Sequence, residues 1–420
     1  MIRRKKFASG LTLLTESIPH VRSVCVGVWL RRGSRHEAAR VNGISHFIEH
    51  LVFKGTRNRS ARDIALQMDS VGGQMDAFTS KEYTCFYAKV LDEHLDVAVN
   101  LLADIVQNPL FDADEVERER KVVLEEIQMV DDTPDDLIYD LFASHFYPGH
   151  VLGRPIQGTA ESVGGLTRRQ LMSFFRNAYR PENMLIVATG DVDHGRLSRK
   201  IGRAFGNLER GSRGLRHQAL PRPHGGLVTR SRKELAQLHL LMGLPAFPDR
   251  GTRRYPLYVF NTLLGGTMSS RLFQRIREER GLVYSVYSAV NGFVDAGFLA
   301  IYAATSPQKG PEVLEVVQEE LRDLRDNGPT AEELRVAKEH LKGSLMLSLE
   351  STSSRMSNVA RQEIYYGRQF TMEETLAGVE SVDRDQVQDI ARHIVADREM
   401  SVAAVGKIGS IKRLSGALKL

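Results

Sequence analysis

The segment HFIEH, residues 46–50, carries two imidazoles and a carboxylate at a spacing that can do chemistry. On a helix that turns by about 100° per residue, the side chains of His46, Glu49 and His50 point within about 100° of one another. Two histidines one turn apart can hold a zinc ion, and a carboxylate between them can act as general base on a water molecule. The segment therefore predicts a zinc-dependent hydrolase; the alternative is an exposed helix with incidental histidines.

A hydrolytic zinc ion needs a third protein ligand and one open position. The sequence EVERERKVVLEEIQMVDD, which begins at Glu115, reads as a strongly acidic helix. Glu119 and Glu126 are seven residues apart, so they project from one face of this helix two turns apart. One carboxylate can be the third ligand while another holds a histidine in place. Spacing alone does not choose among Glu119, Glu125 and Glu126, and an exposed acidic face is the alternative.

The composition is that of a globular chain with material for sizeable cores. Of its 420 residues, 42% are hydrophobic and 26% are charged, which excludes a disordered protein. No apolar run approaches the roughly 18 residues of a membrane span, so we expect none. The 57 basic and 52 acidic residues are mixed along the chain, so a net charge of +5 does not indicate a nucleic-acid partner. Cys25 and Cys85 lie in apolar runs, which predicts buried free thiols.

The same order of elements occurs twice along the sequence. LTRRQLMSFFRNAYRPENMLIVATGDVD begins at Leu166, and VDRDQVQDIARHIVADREMSVAAVGKIG begins at Val382. At a constant offset of 216 residues, each reads as a helix, a turn and a strand that ends in glycine, Gly190 or Gly406. A second match, between LLADIVQNPLFDADEVERERKVV and ELRDLRDNGPTAEELRVAKEHL, follows the same order along the chain. Two ordered matches predict a duplicated domain.

The helices and β-rich runs of each half do not alternate regularly, which favours an α+β fold. We predict two homologous domains in tandem, each a mostly antiparallel β-sheet packed against helices. The predicted domains span residues 1–215 and 225–420. A segment rich in Gly, Pro and Arg, from about Glu209 to Gly226, is the predicted linker between them.

Five segments together resemble the pitrilysin/insulinase family of zinc peptidases, whose members carry the H-x-x-E-H motif. The segments are NGISHFIEHLVFKGT, GGQMDAFTSKEYTCFYAKV, NPLFDADEVERERKVVLEEI, NAYRPENMLIVATGDVD and SSRLFQRIREERGLVYSVYS. The resemblance runs nearly end to end and is greatest to the branch that resembles mitochondrial processing peptidase. It implies a zinc metalloendopeptidase.

The resemblance also implies roles for the residues at matching positions. It makes His46, His50 and Glu126 the zinc ligands and Glu49 the general base. Glu119 matches a supporting glutamate one heptad before the ligand.

For substrate binding, the resemblance implies an edge strand that pairs with the peptide backbone. Asp76, Ala77 and Phe78 stand at its contact positions, although many family members carry Asn where this chain has Asp76. Arg277 and Tyr284 match an Arg–Tyr pair that holds substrate and that the family's geometry places in the partner chain of a dimer.

The second half is expected to be a metal-free copy of the first. H-x-x-E-H has no counterpart there, and RLFQRIREER stands roughly at its place. In the second match, Glu126 aligns with Ser344 and Glu119 with Ala337. One zinc ion per chain follows.

The resemblance implies two chains that close around a chamber, which admits peptides or unfolded polypeptides as substrate. We expect a homodimer, because this chain carries both the metal motif and the Arg–Tyr pair. The alternative is a non-catalytic scaffold or partner subunit of a processing peptidase complex. Such subunits typically degrade the metal motif, which is intact here.

Substrate and location are less constrained. Processing of presequence-like segments and general peptide turnover both remain open. The basic N-terminal residues lack the apolar stretch of a signal peptide. They also lack the signature of a presequence, which favours a bacterial-type cytoplasmic protein. A mitochondrial matrix protein after presequence removal is the alternative.

Overall fold

The computed structural model describes residues 2–206, 208, 211, 219–396, 398–409, 411 and 418–420, and within them the chain forms two compact units. The first unit consists of Met1–Met129, Arg154–Gln218 and Ser348–Gln369. The second consists of Val130–Gly153, Ala219–Leu347 and Phe370–Leu420. No helix in these described ranges combines the length and apolar composition that crossing a bilayer requires.

The first unit contains a six-stranded sheet, here called sheet 1. Its strands are β1 (Ile2–Lys6), β2 (Thr12–Ser17), β3 (Ser23–Leu30), β4 (Gln74–Thr79), β5 (Thr84–Leu91) and β6 (Met184–Gly190). Its helices are α1 (Ile44–Leu51), α2 (Ala61–Asp69), α3 (Leu95–Gln107), most of α4 (Ala113–Asp132), α6 (Ala160–Gly164), α7 (Arg168–Ala178), α8 (His194–Ala204) and α12 (Thr352–Tyr366).

The second unit contains a five-stranded sheet, here called sheet 2. Its strands are β7 (Gly226–Ser231), β8 (Leu238–Ala246), β9 (Val283–Gly292), β10 (Gly297–Thr305) and β11 (Ser401–Gly406). Its helices are α5 (Pro134–Phe146), α9 (Arg254–Asn261), α10 (Gly310–Asp326), most of α11 (Ala331–Ser348), α13 (Met372–Glu380) and α14 (Arg384–Ile394).

The two sheets share one strand order. Sheet 1 runs β1-β2-β6-β3-β5-β4, and sheet 2 runs β7-β11-β8-β10-β9. The pairs β2–β6 and β7–β11 are parallel, and every other pair is antiparallel. Apart from the additional β1, each strand of sheet 2 occupies the position of its counterpart in sheet 1. The predicted α+β fold with two homologous, mostly antiparallel domains is confirmed.

The repeat extends to single residues at the offset of 216. Gly190 and Gly406 end β6 and β11 with φ of 127° and 131°, and a Cβ on either would lie within 2.6 Å of a backbone oxygen. Only glycine adopts such a conformation so close to another strand without strain. Thr167 and Asp383 cap α7 and α14 by accepting a hydrogen bond from the backbone N–H three residues later. The two glycines were predicted from the sequence as strand ends, whereas the two caps were not.

Each sheet is covered by a helix from the other half of the sequence. α12 packs Met356 and Val359 on the face of sheet 1 that carries Trp29 and both cysteines, which are buried and free as predicted. α5 packs Phe142 on sheet 2 in the same way. As stretches of sequence, the domains 1–215 and 225–420 stay a prediction.

The predicted linker from Glu209 to Gly226 lies partly outside the described residues. The described chain resumes at Ala219 and enters sheet 2 at Gly226, the first residue of β7.

Candidate functional site

The candidate site is built on α1, whose apolar side chains fix the direction of its polar ones. Phe47, Ile48 and Leu51 are fully buried in the core between α1 and sheet 1. His46 and His50 lie on the other side of the helix, with 18% and 17% of their side chains exposed. The burial of one face therefore turns both imidazoles toward solvent-accessible space.

A buried carboxylate holds the start of this helix. Gly43 is its N-cap residue, with φ of 90° and no side chain to cap with. Glu37 replaces that cap: its Oε2 accepts the Gly43 N–H at 2.8 Å and the amide of Asn42 at 3.0 Å, and its Oε1 accepts the Ser45 N–H at 2.8 Å. Burial raises the pKa of Glu37, against the opposing effect of these hydrogen bonds. In its ionised form, the carboxylate also interacts favourably with the N-terminal end of the helix dipole. Glu37 escaped the sequence analysis because it precedes the helix by seven residues.

Three side chains converge in front of α1. Glu126 Oε2, on α4, lies 3.5 Å from His46 Nε2 and 3.4 Å from His50 Nε2. Ligand atoms bound at about 2.0–2.1 Å to a tetrahedral zinc ion lie about 3.4 Å from one another. The donor set and its spacing therefore fit zinc.

In the described part of the chain, His46, His50 and Glu126 are the single group of three or more His, Cys, Asp or Glu side chains that could hold a metal ion. Of the carboxylates that the sequence left as alternatives, Glu125 is exposed and stands outside the group.

Glu119 lies outside the group of three, next to the Nδ1 side of His50. Its carboxylate is buried, with Oε2 at 3.3 Å from His50 Nδ1 and Oε1 at 2.8 Å from Lys54 Nζ. A carboxylate behind a ligating imidazole fixes its tautomer and orientation. Lys54 was missed by the sequence analysis, although its place one turn after His50 was a signal.

Glu49 lies between the histidines on α1 and accepts a hydrogen bond of 2.5 Å from the Thr79 hydroxyl. Burial, with smaller contributions from the charges of Asp76 and Glu126, raises the pKa of Glu49 to about 7, against the opposing effect of the Thr79 hydrogen bond. A carboxylate with a pKa near 7 is suited to exchange protons at neutral pH. Thr79 was not predicted, because its contact depends on the packing of β4 against α1.

The three predicted substrate-contact residues lie on β4, which stands at one end of sheet 1. The Ser80 N–H donates to the Tyr83 carbonyl at 2.8 Å, so these two form a hydrogen-bonded pair. Such pairs alternate along antiparallel strands, and three positions earlier Ala77 is therefore not bonded to β5. The backbone groups of Ala77 point to the open edge, whereas those of Phe78 point to β5.

The Asp76 and Phe78 side chains are exposed beside that edge. Asp76 Oδ1 accepts the Ala77 N–H at 2.7 Å. The Phe78 ring, 36% exposed, makes edge-to-face contacts with Trp29 and Tyr83.

The predicted Arg–Tyr pair belongs to the second unit. Arg277 lies in a short helical segment, Phe273–Glu278, and Tyr284 lies on β9. The Arg277 guanidinium stands 5.4 Å from the centre of the Tyr284 ring, within the range of a cation–π contact. Tyr284 is 78% exposed and the Arg277 side chain is 38% exposed, so both residues present polar groups to solvent.

The strand order corrects one detail of the repeat. From spacing, RLFQRIREER was expected to stand roughly at the place of H-x-x-E-H. In sheet 2, α9 follows β8 as α1 follows β3, and α9 packs on α14 as α1 packs on α7. The counterpart of α1 is therefore α9, RYPLYVFN, which contains no histidine or carboxylate. The misplacement arose because helix-helix packing, and not spacing, identifies the counterpart.

Two parts of the chain match families of known proteins. Residues 12–160 match the family described as Insulinase (Peptidase family M16), and residues 165–341 match the one described as Peptidase M16 inactive domain. A protein of Mycobacterium tuberculosis (strain H37Rv), named an uncharacterized zinc protease, is 44% identical over 425 residues, which cover 99% of this chain and 96% of the relative. An uncharacterized zinc protease of Bacillus subtilis (strain 168) is 41% identical over 98% of this chain and 100% of its own length.

Solved structures show the same fold. A protease from Helicobacter pylori superposes with a TM-score of 0.91 at 21% identity, over 96% of this chain and 99% of that one. A peptidase M16 inactive domain from Pseudomonas fluorescens superposes with a TM-score of 0.88 at 21% identity, over 97% of this chain and 98% of that one.

These relatives and structures come from bacteria, so they do not support the mitochondrial alternative. Their names do not mention mitochondrial processing peptidase, so the resemblance to that branch is not specifically confirmed. The two family matches cover more than half of the chain, and relatives align along nearly all of it. The chain therefore belongs to the insulinase family of peptidases, peptidase family M16.

Proposed function

We propose that this chain is a zinc-dependent endopeptidase that cleaves peptides or unfolded polypeptides. The observation that carries the proposal is the convergence of His46, His50 and Glu126 at the mutual distances of ligands around one zinc ion. Two relatives that are named uncharacterized zinc proteases support the proposal. One ion per chain is proposed, because α9 and α11 of the second unit lack the corresponding side chains.

The roles of the residues follow from their positions. His46, His50 and Glu126 would hold the zinc, which when bound supplies Lewis-acid polarisation of the scissile carbonyl and lowers the pKa of water. Burial also lowers the pKa of His46, to about 4, with a smaller effect of His50, so its imidazole is neutral at pH 7 as ligation requires. Glu119 orients His50.

Glu49 moves the proton. Its carboxylate takes a proton from the attacking water while the water oxygen bonds to the carbonyl carbon. It then gives the proton to the amide nitrogen as the C–N bond breaks, so the leaving group departs as an amine. The open edge of β4 would position the peptide by strand addition, with Ala77 supplying backbone groups and Asp76 and Phe78 supplying side chains.

The rest of the assembly is proposed on the family's pattern. Two copies would form a homodimer around a chamber, with Arg277 and Tyr284 of one protomer reaching the substrate in its partner. We propose a cytoplasmic location. Presequence-like segments and general peptides are both candidate substrates.

The test is cleavage of a quenched basic peptide by the zinc-loaded wild type and by Glu49→Gln, with zinc quantified in both. We expect about one zinc per chain in each protein and a loss of at least about 100-fold in kcat for the variant, because general-base catalysis contributes about 10²–10⁴-fold. A wild type that binds zinc but cleaves nothing would favour the scaffold alternative. A variant as active as wild type would overturn the role of Glu49.

A further inference from the structure

The edge donor that an added peptide strand would use is already occupied by the chain itself. The Ala77 N–H points to the open side of β4, where a strand partner would accept it. In the structure it donates to Asp76 Oδ1 at 2.7 Å. A peptide carbonyl must therefore displace the Asp76 carboxylate before it can pair with Ala77.

The Asp76 carboxylate is exposed and has only neutral donors. Its second oxygen accepts the Tyr87 hydroxyl at 3.4 Å. No lysine, arginine or histidine in the described ranges lies within 4.0 Å of it. Among the described residues, the Asp76 carboxylate at the edge of this strand thus has no cationic partner within 4.0 Å.

The two observations together suggest what displaces the carboxylate. When a neutral peptide displaces Asp76 from the Ala77 N–H, the carboxylate loses a hydrogen bond and gains no new interaction. A peptide with a lysine or arginine beside Asp76 forms an ion pair with the carboxylate, and this interaction is stronger than the hydrogen bond from the neutral Ala77 N–H. The cost of opening the edge is then offset only for the basic peptide.

We propose that Asp76 determines specificity by making strand addition at β4 conditional on a basic side chain in the peptide. The inference rests on the proposed function, because it concerns the strand that would bind the substrate. Asp76 discourages neutral peptides by capping the Ala77 N–H and favours basic ones by pairing with them. Removing the charge of Asp76 should lower the affinity for basic peptides and raise the affinity for neutral ones. Loss of folding or of zinc would not change the two affinities in opposite directions.

The experiment measures binding separately from cleavage. A set of fluorescent peptides carries one arginine, moved along the sequence, and each has a twin in which that arginine is citrulline, which has the same shape without the charge. Dissociation constants are measured for zinc-loaded Glu49→Gln, which binds without turnover, and for the double variant Glu49→Gln/Asp76→Asn. Asp69→Asn in the same background is the matched control, because Asp69 is an exposed aspartate that ends α2, outside β4.

For at least one arginine position we expect Asp76 to favour the arginine peptide about fivefold, the size of one hydrogen bond to a charged group in a partly exposed site. Asp76→Asn should reduce that ratio to about one. Asparagine cannot form the ion pair, so the arginine peptide binds more weakly. Its amide oxygen caps the Ala77 N–H less strongly than a carboxylate does, so the citrulline twin binds more tightly. Asp69→Asn should leave the ratio unchanged.

A ratio near one at every position with Asp76 present would overturn the inference. So would equal weakening of both twins by Asp76→Asn, or no peptide binding at all. Each result is independent of whether wild type cleaves peptides, which tests the proposed function.

Discussion

Thr79 connects the strand that would bind the peptide to the residue that would move the proton. It is the last residue of β4, and its hydroxyl donates to Glu49 Oε2 at 2.5 Å. The Thr84 hydroxyl lies 3.4 Å from the same oxygen of Thr79 and donates to the Arg32 carbonyl, which holds the hairpin end in place. Thr79 thus restricts the Glu49 carboxylate to one orientation, a positioning role.

We predict that Thr79→Val lowers kcat about tenfold and leaves KM and the zinc content unchanged. Valine keeps the shape of the side chain but lacks the donor, so Glu49 loses its fixed orientation while strand and metal ligands stay in place. Thr79→Ser keeps the hydroxyl and should recover most of the activity. Steady-state kinetics of the three proteins decide the point. Equal loss in the serine and valine variants would show that packing, and not the hydrogen bond, is what matters.

At the scale of elements, α3 anchors the segment that links α1 to α2. The Asp104 side chain, 4% exposed, accepts hydrogen bonds from Thr56 at 2.7 Å, from Asn58 and Arg59 at 2.6 Å each, and from Asn108 at 2.9 Å. Burial would raise the pKa of Asp104, but these hydrogen bonds outweigh it and hold the pKa below its ordinary value. The folded chain therefore gains stability from the ionised form.

The corresponding prediction is that Asp104→Asn lowers the free energy of unfolding by about 3 kcal/mol at pH 7, because donors built for a carboxylate lose it. The lowered pKa means that the wild type loses this stability as pH falls below about 5, whereas the variant does not titrate there. The difference between the two proteins should narrow as pH falls from about 5 toward 3. Urea unfolding of both metal-free proteins from pH 7 to pH 3 measures it. A difference that stays constant with pH would contradict the role of the charge.

At the scale of the whole molecule, neither half of the sequence contains all of the helices that cover its sheet. The face of sheet 1 around Trp29 is covered by Met356 and Val359 of α12, which follows the linker. The face of sheet 2 around Phe298 is covered by Phe142 and Phe146 of α5, which precedes it. An uncovered aromatic face of this kind is a strong drive toward aggregation.

We therefore predict that fragments 1–215 and 225–420 fail to fold separately and fold when they are produced together. Each fragment lacks apolar side chains whose burial contributes about 1.5–3 kcal/mol apiece. Soluble yield, thermal unfolding and co-purification through a tag on one fragment test this. Two separate, monomeric fragments with cooperative unfolding at the temperature of the intact chain would contradict it, and would support domains that coincide with those stretches of sequence.

Local signals explain why so much could be predicted. Several features depend on neighbours along the chain: the helical positions of HFIEH, the caps at Thr167 and Asp383, and the glycines that end β6 and β11. They are therefore readable as periods, caps and breakers. The duplication followed from their repetition, and the pair of sheets with one strand order agrees with it.

The duplicated α+β fold and the residue types on α1 could be predicted from the amino-acid sequence alone. Spacing alone left Glu119, Glu125 and Glu126 as alternatives, and only tertiary structure shows that Glu126 lies with His46 and His50. The hydrogen bond from Thr79 to Glu49 and the cap from Glu37 likewise depend on tertiary contacts. Tertiary structure also decided that α5 and α12 each cover the sheet of the other half of the sequence. Such contacts join residues far apart in sequence, and they depend on sheet register and helix packing, which no local period encodes.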